Sequence, residues 1–473
     1  MSCHTLISSK TNRHSIVLSN LLLLVLCFFF AGCGSKPTLQ EQTSNQKIPD
    51  KTSGDCTLPT SPSSQSGTIQ YAVSWDANPQ EADNNQGISR LHVTAFDTST
   101  GHIRWQREPL KVKDMYQSSE QRIVDGVLYI ASSSQHNALL LALDTRDGHL
   151  LWQRETEETG FNTMQFCKGT IYQNTETTVQ ALQMSNGQVR WSYKSPAFLS
   201  GLVTTSAAVY LVETEINAQS QNGQRRFATA LDTTHGKVLW RKAYTTANDS
   251  STFKLIATKN AVLAINQIAS DPSTSSPITS VQALQPETGR SIWTIPMSMS
   301  NEPLSVTALG DTLYLNGHNR LYNPKAHPAS EPGQDMLLMA FNAHTGKLRW
   351  QREHNYEQFT FLSEQELYAY KGYRGDGSTP RKTFCALDTA TGKDRWCIDS
   401  LQPSLFSLSA NKDTLIVVEE LQPSPLSLQQ NLYAINKRDG KILWHQPWQS
   451  SAPSLVTLTL VTITPDQNAV PFG

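Results

Sequence analysis

Between residues 68 and 466 short apolar runs alternate with polar, turn-forming clusters, a rhythm that predicts β-strands throughout. Leu139 to Leu143 is one such run; a polar turn follows, and then the alternating segment His149-Leu150-Leu151-Trp152, so the pair reads as a hairpin. The same hairpin recurs eight times with fixed spacing: an alanine, a glycine six residues on, and a tryptophan four residues after that. The copies begin at Ala95, Ala142, Ala181, Ala230, Ala283, Ala340, Ala386 and Ala434. Their glycines are Gly101, Gly148, Gly187, Gly236, Gly289, Gly346, Gly392 and Gly440, a position that calls for the left-handed backbone closing a bulged hairpin loop. Asp or Asn opens the turn in six copies, where a short side chain accepts hydrogen bonds from the amides that follow; Gln183 and Gln285 open the other two. The tryptophans are Trp105, Trp152, Trp191, Trp240, Trp293, Trp350, Trp396 and Trp444. They are expected in the core rather than on a ligand platform, because a binding site rarely needs one residue in every repeat. Small Ala against large Trp suggests a repeated contact between neighbouring sheets.

Successive tryptophans are 47, 39, 49, 53, 57, 46 and 48 residues apart, room for four short strands per unit. Before most motifs stands a second strand pair, such as Gln121–Val124 with Gly126–Ile130, or Leu304–Thr307 with Thr312–Leu315. Each unit therefore reads as strands A to D with the motif on C and D. The fold class is all-β: an eight-bladed β-propeller of four-stranded antiparallel blades. Unit one offers a B strand at Tyr71–Trp75 and a C strand at Leu91–Phe96 but no A strand, while Ser454–Ile463 is a surplus strand after the last motif. The expectation is that this C-terminal strand closes the ring by pairing into blade one. A closed ring leaves no sheet edge demanding a partner, which predicts a monomer.

At the other terminus Lys10 and Arg13 precede the apolar run Leu21–Phe30, short for a membrane span and suited to an export signal. It ends in Phe30-Ala31-Gly32-Cys33, which resembles the lipobox of bacterial lipoproteins, with Phe30 where an aliphatic residue is usual. Residues 1–32 are thus read as a lipoprotein signal peptide and Cys33 as the lipidated residue, giving an exported, membrane-anchored protein at the cell envelope or surface. Residues 33–67 are poor in apolar side chains and rich in Ser, Thr, Gln, Pro and Lys, and read as a disordered tether. The propeller spans 68–466 and a short tail 467–473. Cys385 and Cys397 lie on opposite arms of one hairpin; they are a disulfide in an oxidising compartment or two buried thiols. No cysteine pair has the CxxC spacing of a zinc site.

Lys plus Arg number 39 against 40 Asp plus Glu, so no overall basic field exists to hold nucleic acid. The chain has no GxSxG elbow, HExxH pair or P-loop. His235 and His344 fall in repeat turns and read as solvated; Asp76–Asn85 is acidic but lacks EF-hand spacing and reads as a loop without a metal. Arg374-Gly375-Asp376 spells an adhesion tripeptide that nothing else in the chain supports.

The A-L-D-x-x-x-G-x-x-x-W hairpin resembles the repeat of PQQ-like, quinoprotein-type eight-bladed propellers, in which the tryptophan docks between blades. With the lipobox it is similar to the non-enzymatic, exported branch of the outer-membrane assembly lipoprotein B type, whose members bind protein partners and no quinone. The resemblance implies a non-catalytic, protein-binding scaffold or assembly factor with no cofactor. The enzyme branch uses adjacent cysteines over the quinone, a calcium held by Glu and Asn, and a catalytic Asp; no Cys-Cys dipeptide or CxxCH haem motif exists here, and no catalytic residue transfers. The alternatives are a dehydrogenase-like enzyme using PQQ and calcium through divergent residues, or a surface solute-binding or sensor module. Length variation concentrates between strands B and C, at Ile216–Arg226, Gln267–Ser280, Gly317–Asp335, Lys371–Lys382 and Leu421–Gln430. These loops are expected on one face of the disc, where a protein partner would dock.

Overall fold

The computed structural model describes residues 69–448, apart from short stretches between strands, together with 459–460. They all belong to one of two compact units, residues 45–473. The expected signal peptide, lipidated Cys33 and tether, together with Arg374-Gly375-Asp376 and the expected C-terminal tail, lie outside the described residues. Among the described residues all regular structure is β, in eight antiparallel sheets. No helix among the described residues is long and apolar enough to cross a membrane.

Blade 2 shows the common plan: strands A (Ser118–Val124), B (Val127–Ser133), C (Ala138–Asp144) and D (Leu150–Thr156), each paired with the next. Blades 3 to 8 repeat it in chain order. First strands of neighbouring blades lie close together, as Thr163–Cys167, Phe198–Thr204 and Thr252–Ala257 do, so A lines the axis and D forms the rim. Apolar side chains pack between blades rather than within one. The cluster of Tyr129, Leu140, Ala142, Met164, Phe166 and Ile171, for example, is shared by blades 2 and 3. Burying both faces of each sheet explains why strand C of blade 2 is buried at all seven positions.

In blade 1, B is Ile69–Asp83, C is Gln86–Asp97 and D is Ile103–Gln106, with Leu110–Lys113 extending the outer edge against C. Thr459–Leu460 pairs with Val73 and Ala72 on B. Blades 8 and 1 are also joined directly. Ile416, Val418, Leu432 and Ala434 of blade 8 pack with Ala72 and Phe96 of blade 1, and the Trp444 indole donates to the Thr98 carbonyl across 346 residues of chain.

Parts of the segments expected as loops prove to be strand. Asp76–Asn78 pair with Ile88–Arg90, Ile216 and Asn217 with Gln224 and Gly223, Gln267 and Ile268 with Thr279 and Ile278, Gly317 and His318 with Leu337 and Met336, Lys371 and Gly372 with Thr383 and Lys382, and Leu421 with Gln429. Polar composition at Asp76–Asn85 and variable length elsewhere suggested loop, but ladder hydrogen bonds use the backbone, and a hairpin projecting past the core needs no apolar face.

Candidate functional site

The repeat motif becomes a lock between blades. Every motif glycine sits at φ between 67° and 75°, and its amide donates to the carbonyl of the residue that opens the turn, as Gly236 does to Asp232. All six Asp or Asn openers accept a hydrogen bond from a following amide. The turn thereby presents a flat glycine face on which the preceding blade's indole lies. A Cβ built on any motif glycine except Gly101 would fall 2.5 to 2.9 Å from that indole; at Gly101 the neighbour is Gln446 at 3.1 Å. The glycine is thus fixed twice, by backbone conformation and by the approaching ring. The residue facing the indole across the interface is this glycine. Ala instead pairs with Trp inside the blade's own sheet.

Each indole Nε1 donates to a carbonyl in the next blade's turn at 2.8 to 3.2 Å. Trp293 reaches His344, one residue further along its turn than the others do. Such a bond contributes about 1 kcal/mol net, so eight of them around a ring make a stiff frame.

A tyrosine row accompanies the locks and was not foreseen. Tyr71, Tyr129, Tyr172, Tyr210, Tyr314 and Tyr368 on strand B stand directly across from the motif alanine; Leu263 and Ile416 occupy the slot in blades 5 and 8. The alanine's small size lets the flanking Tyr and Trp rings meet over it, with centroids 5.8 to 6.1 Å apart. In five blades the Tyr hydroxyl donates to the same carbonyl as the indole, using the oxygen's second lone pair. Burial pushes the Tyr172 and Tyr210 hydroxyls up to about 12.

Charged groups also sit against the packed frame. Glu213 of blade 4 is fully buried and accepts from Arg241 Nε (2.7 Å), Thr229 Oγ1 (2.8 Å), Ser195 Oγ (2.9 Å) and Tyr193 Oη (3.2 Å). The Arg241 guanidinium stacks 3.6 Å from the Phe227 ring centre. Blade 8 has a smaller version at the matching positions, with Glu419 accepting from the Tyr433 hydroxyl at 2.8 Å. On the axis side, Glu120 accepts from the Met164 amide of blade 3 (2.7 Å) and pairs with Arg122 (3.1 Å). A quarter of its side chain meets solvent, yet the surrounding wall desolvates the carboxyl and raises its pKa. The cationic partners of Glu120 and Glu213 are engaged within the frame, which marks both as structural. Cys385 and Cys397 form a disulfide across strands C and D of blade 7. His235 and His344 sit in exposed turns.

The sequence profile of the family described as outer membrane protein assembly factor BamB matches residues 89–275 and 334–473. The chain belongs to this PQQ-like propeller family. The solved BamB of Moraxella catarrhalis is 16% identical, with a TM-score of 0.43 over 71% of this chain and 92% of that one. A quinohemoprotein alcohol dehydrogenase of Pseudomonas putida HK5 is 12% identical, at 0.43 over 69% and 65%. A eukaryotic initiation factor is 10% identical, at 0.50 over 86% and 100%, a likeness of fold alone. No protein in a comparison with curated proteins matches the chain significantly by sequence.

The family name raises the question of a quinone, and the described residues do not fit one. Adjacent cysteines are missing from the chain, and the Cys385–Cys397 bond lies on the outer two strands of its blade. Arg122, a cation of an axis-lining strand, is held by Glu120 and the Gln121 carbonyl.

Proposed function

We propose that this BamB-family chain is an exported, lipid-anchored and non-catalytic propeller that holds a protein partner of the cell envelope on one face and acts as an assembly factor or scaffold. The observation that carries this reading is the contrast between the two ends of the sheets. The A–B and C–D turns leave one end, and the C–D turns are taken up by the locks. The B–C connections all leave the opposite end. They differ widely in length, with strands ending at Ile268, His318 and Gly372 and resuming at Ile278, Met336 and Lys382. A rigid ring with variable connections on one face is the usual layout of a recognition surface. The family description, which names an outer-membrane protein assembly factor, supports the same role. Lipidation at Cys33 and a tether over 33–67 would let the ring reach a partner beside the membrane.

The test is site-specific photo-crosslinking in cells. A photoreactive residue replaces Arg225, two-thirds exposed on the B–C end of blade 4, or Arg146, exposed in a C–D turn. Crosslinks to an envelope protein from position 225 and none from 146 are expected. Crosslinks from 146 alone, or from neither position, would overturn the assignment of the face.

A further inference from the structure

Blade 7 departs from the repeat at three positions that the fold gathers on one sheet face. Cys385 on strand C (Lys382–Leu387) stands opposite Cys397 on strand D (Asp394–Asp399), with Cα atoms 4.1 Å apart. Just beyond, Ala386 pairs with Trp396 and Leu387 with Asp394, so Arg395 is the extra residue of a bulge. Cys385 and Leu387, two apart on a strand, share a face. Their partners Cys397 and Asp394 therefore share it too, although they are three apart. The two sulfur atoms and an Asp394 carboxylate oxygen all lie within 4.8 Å of one another. Among the other seven copies none has cysteine at either position, and Asp394 is replaced by Ile, Leu or Val in six and by Ser291 in one. Linear spacing hides this trio, because it has no CxxC pattern; the C–D ladder assembles it.

We propose that blade 7 carries a redox-gated site for a thiophilic divalent cation of the zinc class, held by the Cys385 and Cys397 sulfurs and the Asp394 carboxylate when the disulfide is reduced. Zinc takes sulfur at about 2.3 Å and carboxylate oxygen at about 2.0–2.2 Å in a tetrahedron, and here water would be the fourth ligand. The ladder already holds the three ligand atoms within 4.8 Å of one another. Cys397 and Asp394 are exposed on the rim strand, so a reductant and a cation can reach them, while Cys385 is fully buried and anchors the site from below.

The chemistry balances with a dithiol reductant. One of its thiolates attacks the Cys397 sulfur, the S–S bond breaks, and the electron pair leaves on Cys385, which takes up a proton. The second thiol resolves the mixed disulfide, leaving a cyclic disulfide on the reductant and two cysteine thiols on the protein. Cation binding then displaces both thiol protons to solvent.

The experiment uses the full chain, oxidised or reduced with a phosphine that is then removed, titrated calorimetrically with Zn2+ and by ultraviolet charge-transfer absorption with Cd2+. The control is the Cys385→Ser/Cys397→Ser protein with Cys33, Cys56 and Cys167 retained; where that pair does not fold, Cys397→Ser alone serves. The reduced protein is expected to take up a further equivalent of zinc over the control with release of protons, the oxidised protein none. Asp394→Asn, which keeps both sulfurs, is expected to weaken zinc at least about tenfold. Equal uptake by reduced protein and control, or by oxidised and reduced protein, would sink the site. Unchanged affinity in Asp394→Asn would remove the carboxylate from it.

Discussion

At the C–D end the interval from Ala to Trp is ten residues in every blade, whereas at the B–C end the connection runs from two residues between Asp83 and Gln86 to seventeen between His318 and Met336. The first end is uniform because each turn must meet an indole arriving from the preceding sheet at a fixed distance. No motif of fixed spacing recurs in the B–C connections, so their length is free to drift or to be shaped by a partner. Invariance within one chain here reports a packing constraint, and variability marks the end that such a constraint does not hold; on the proposed function, that end is the surface for recognition.

The contrast can be broken most sharply at the locks. Trp191→Ala removes a ring that is 8% exposed and its bond to the Thr233 carbonyl; the urea midpoint should fall by an amount equivalent to about 4 kcal/mol. A glycine pair separates docking from backbone strain. Gly236 and Gly169 both sit at φ +70°, but a Cβ on Gly236 would lie 2.5 Å from Trp191, while nothing lies within 4 Å of one on Gly169. Gly236→Ala is expected to cost about 3 kcal/mol and Gly169→Ala about 1 kcal/mol. Equal costs would show that the conformation alone demands glycine.

Deletion of 449–473 removes the Thr459–Leu460 ladder but leaves the Trp444 bond to Thr98. Loss of about 2 kcal/mol with one cooperative melt is expected; an unchanged melt would show that the indole lock alone closes the ring.

A smaller effect is expected at Asp97. Hydrogen bonds from Ser99, with the nearby Arg104 guanidinium, hold its carboxyl down to about 2. Its contribution is present above the ordinary value of 3.8 and is lost as pH falls through about 2, so acid unfolding of Asp97→Asn should be shallower across that window. At the variable end, Arg225→Ala should change stability by less than about 0.5 kcal/mol while weakening partner capture. A large loss of stability there would erase the distinction between the ends.

The tyrosine row shows why part of the frame escaped the sequence. From Tyr to motif Ala the interval is nine residues in blade 3, from 172 to 181, and twenty-six in blade 6, from 314 to 340. A connection of free length lies between them, so no spacing recurs even though the ladder places each tyrosine identically. Similarly, Glu213 belongs to a B strand while its partners Tyr193 and Arg241 come from the D strands of blades 3 and 4.

The sequence by itself determined the all-β class, the number of blades and the turn that joins C to D, because those contacts are local and a fixed interval records them. Only the tertiary structure decided that glycine rather than alanine faces the indole and that residues expected as loop, such as Ile216 and Asn217, continue the ladder. It also decided that Asp394 joins Cys385 and Cys397 on one face. These outcomes depend on register, bulges and the approach of a neighbouring sheet, which are properties of paired backbones rather than of any run of side chains.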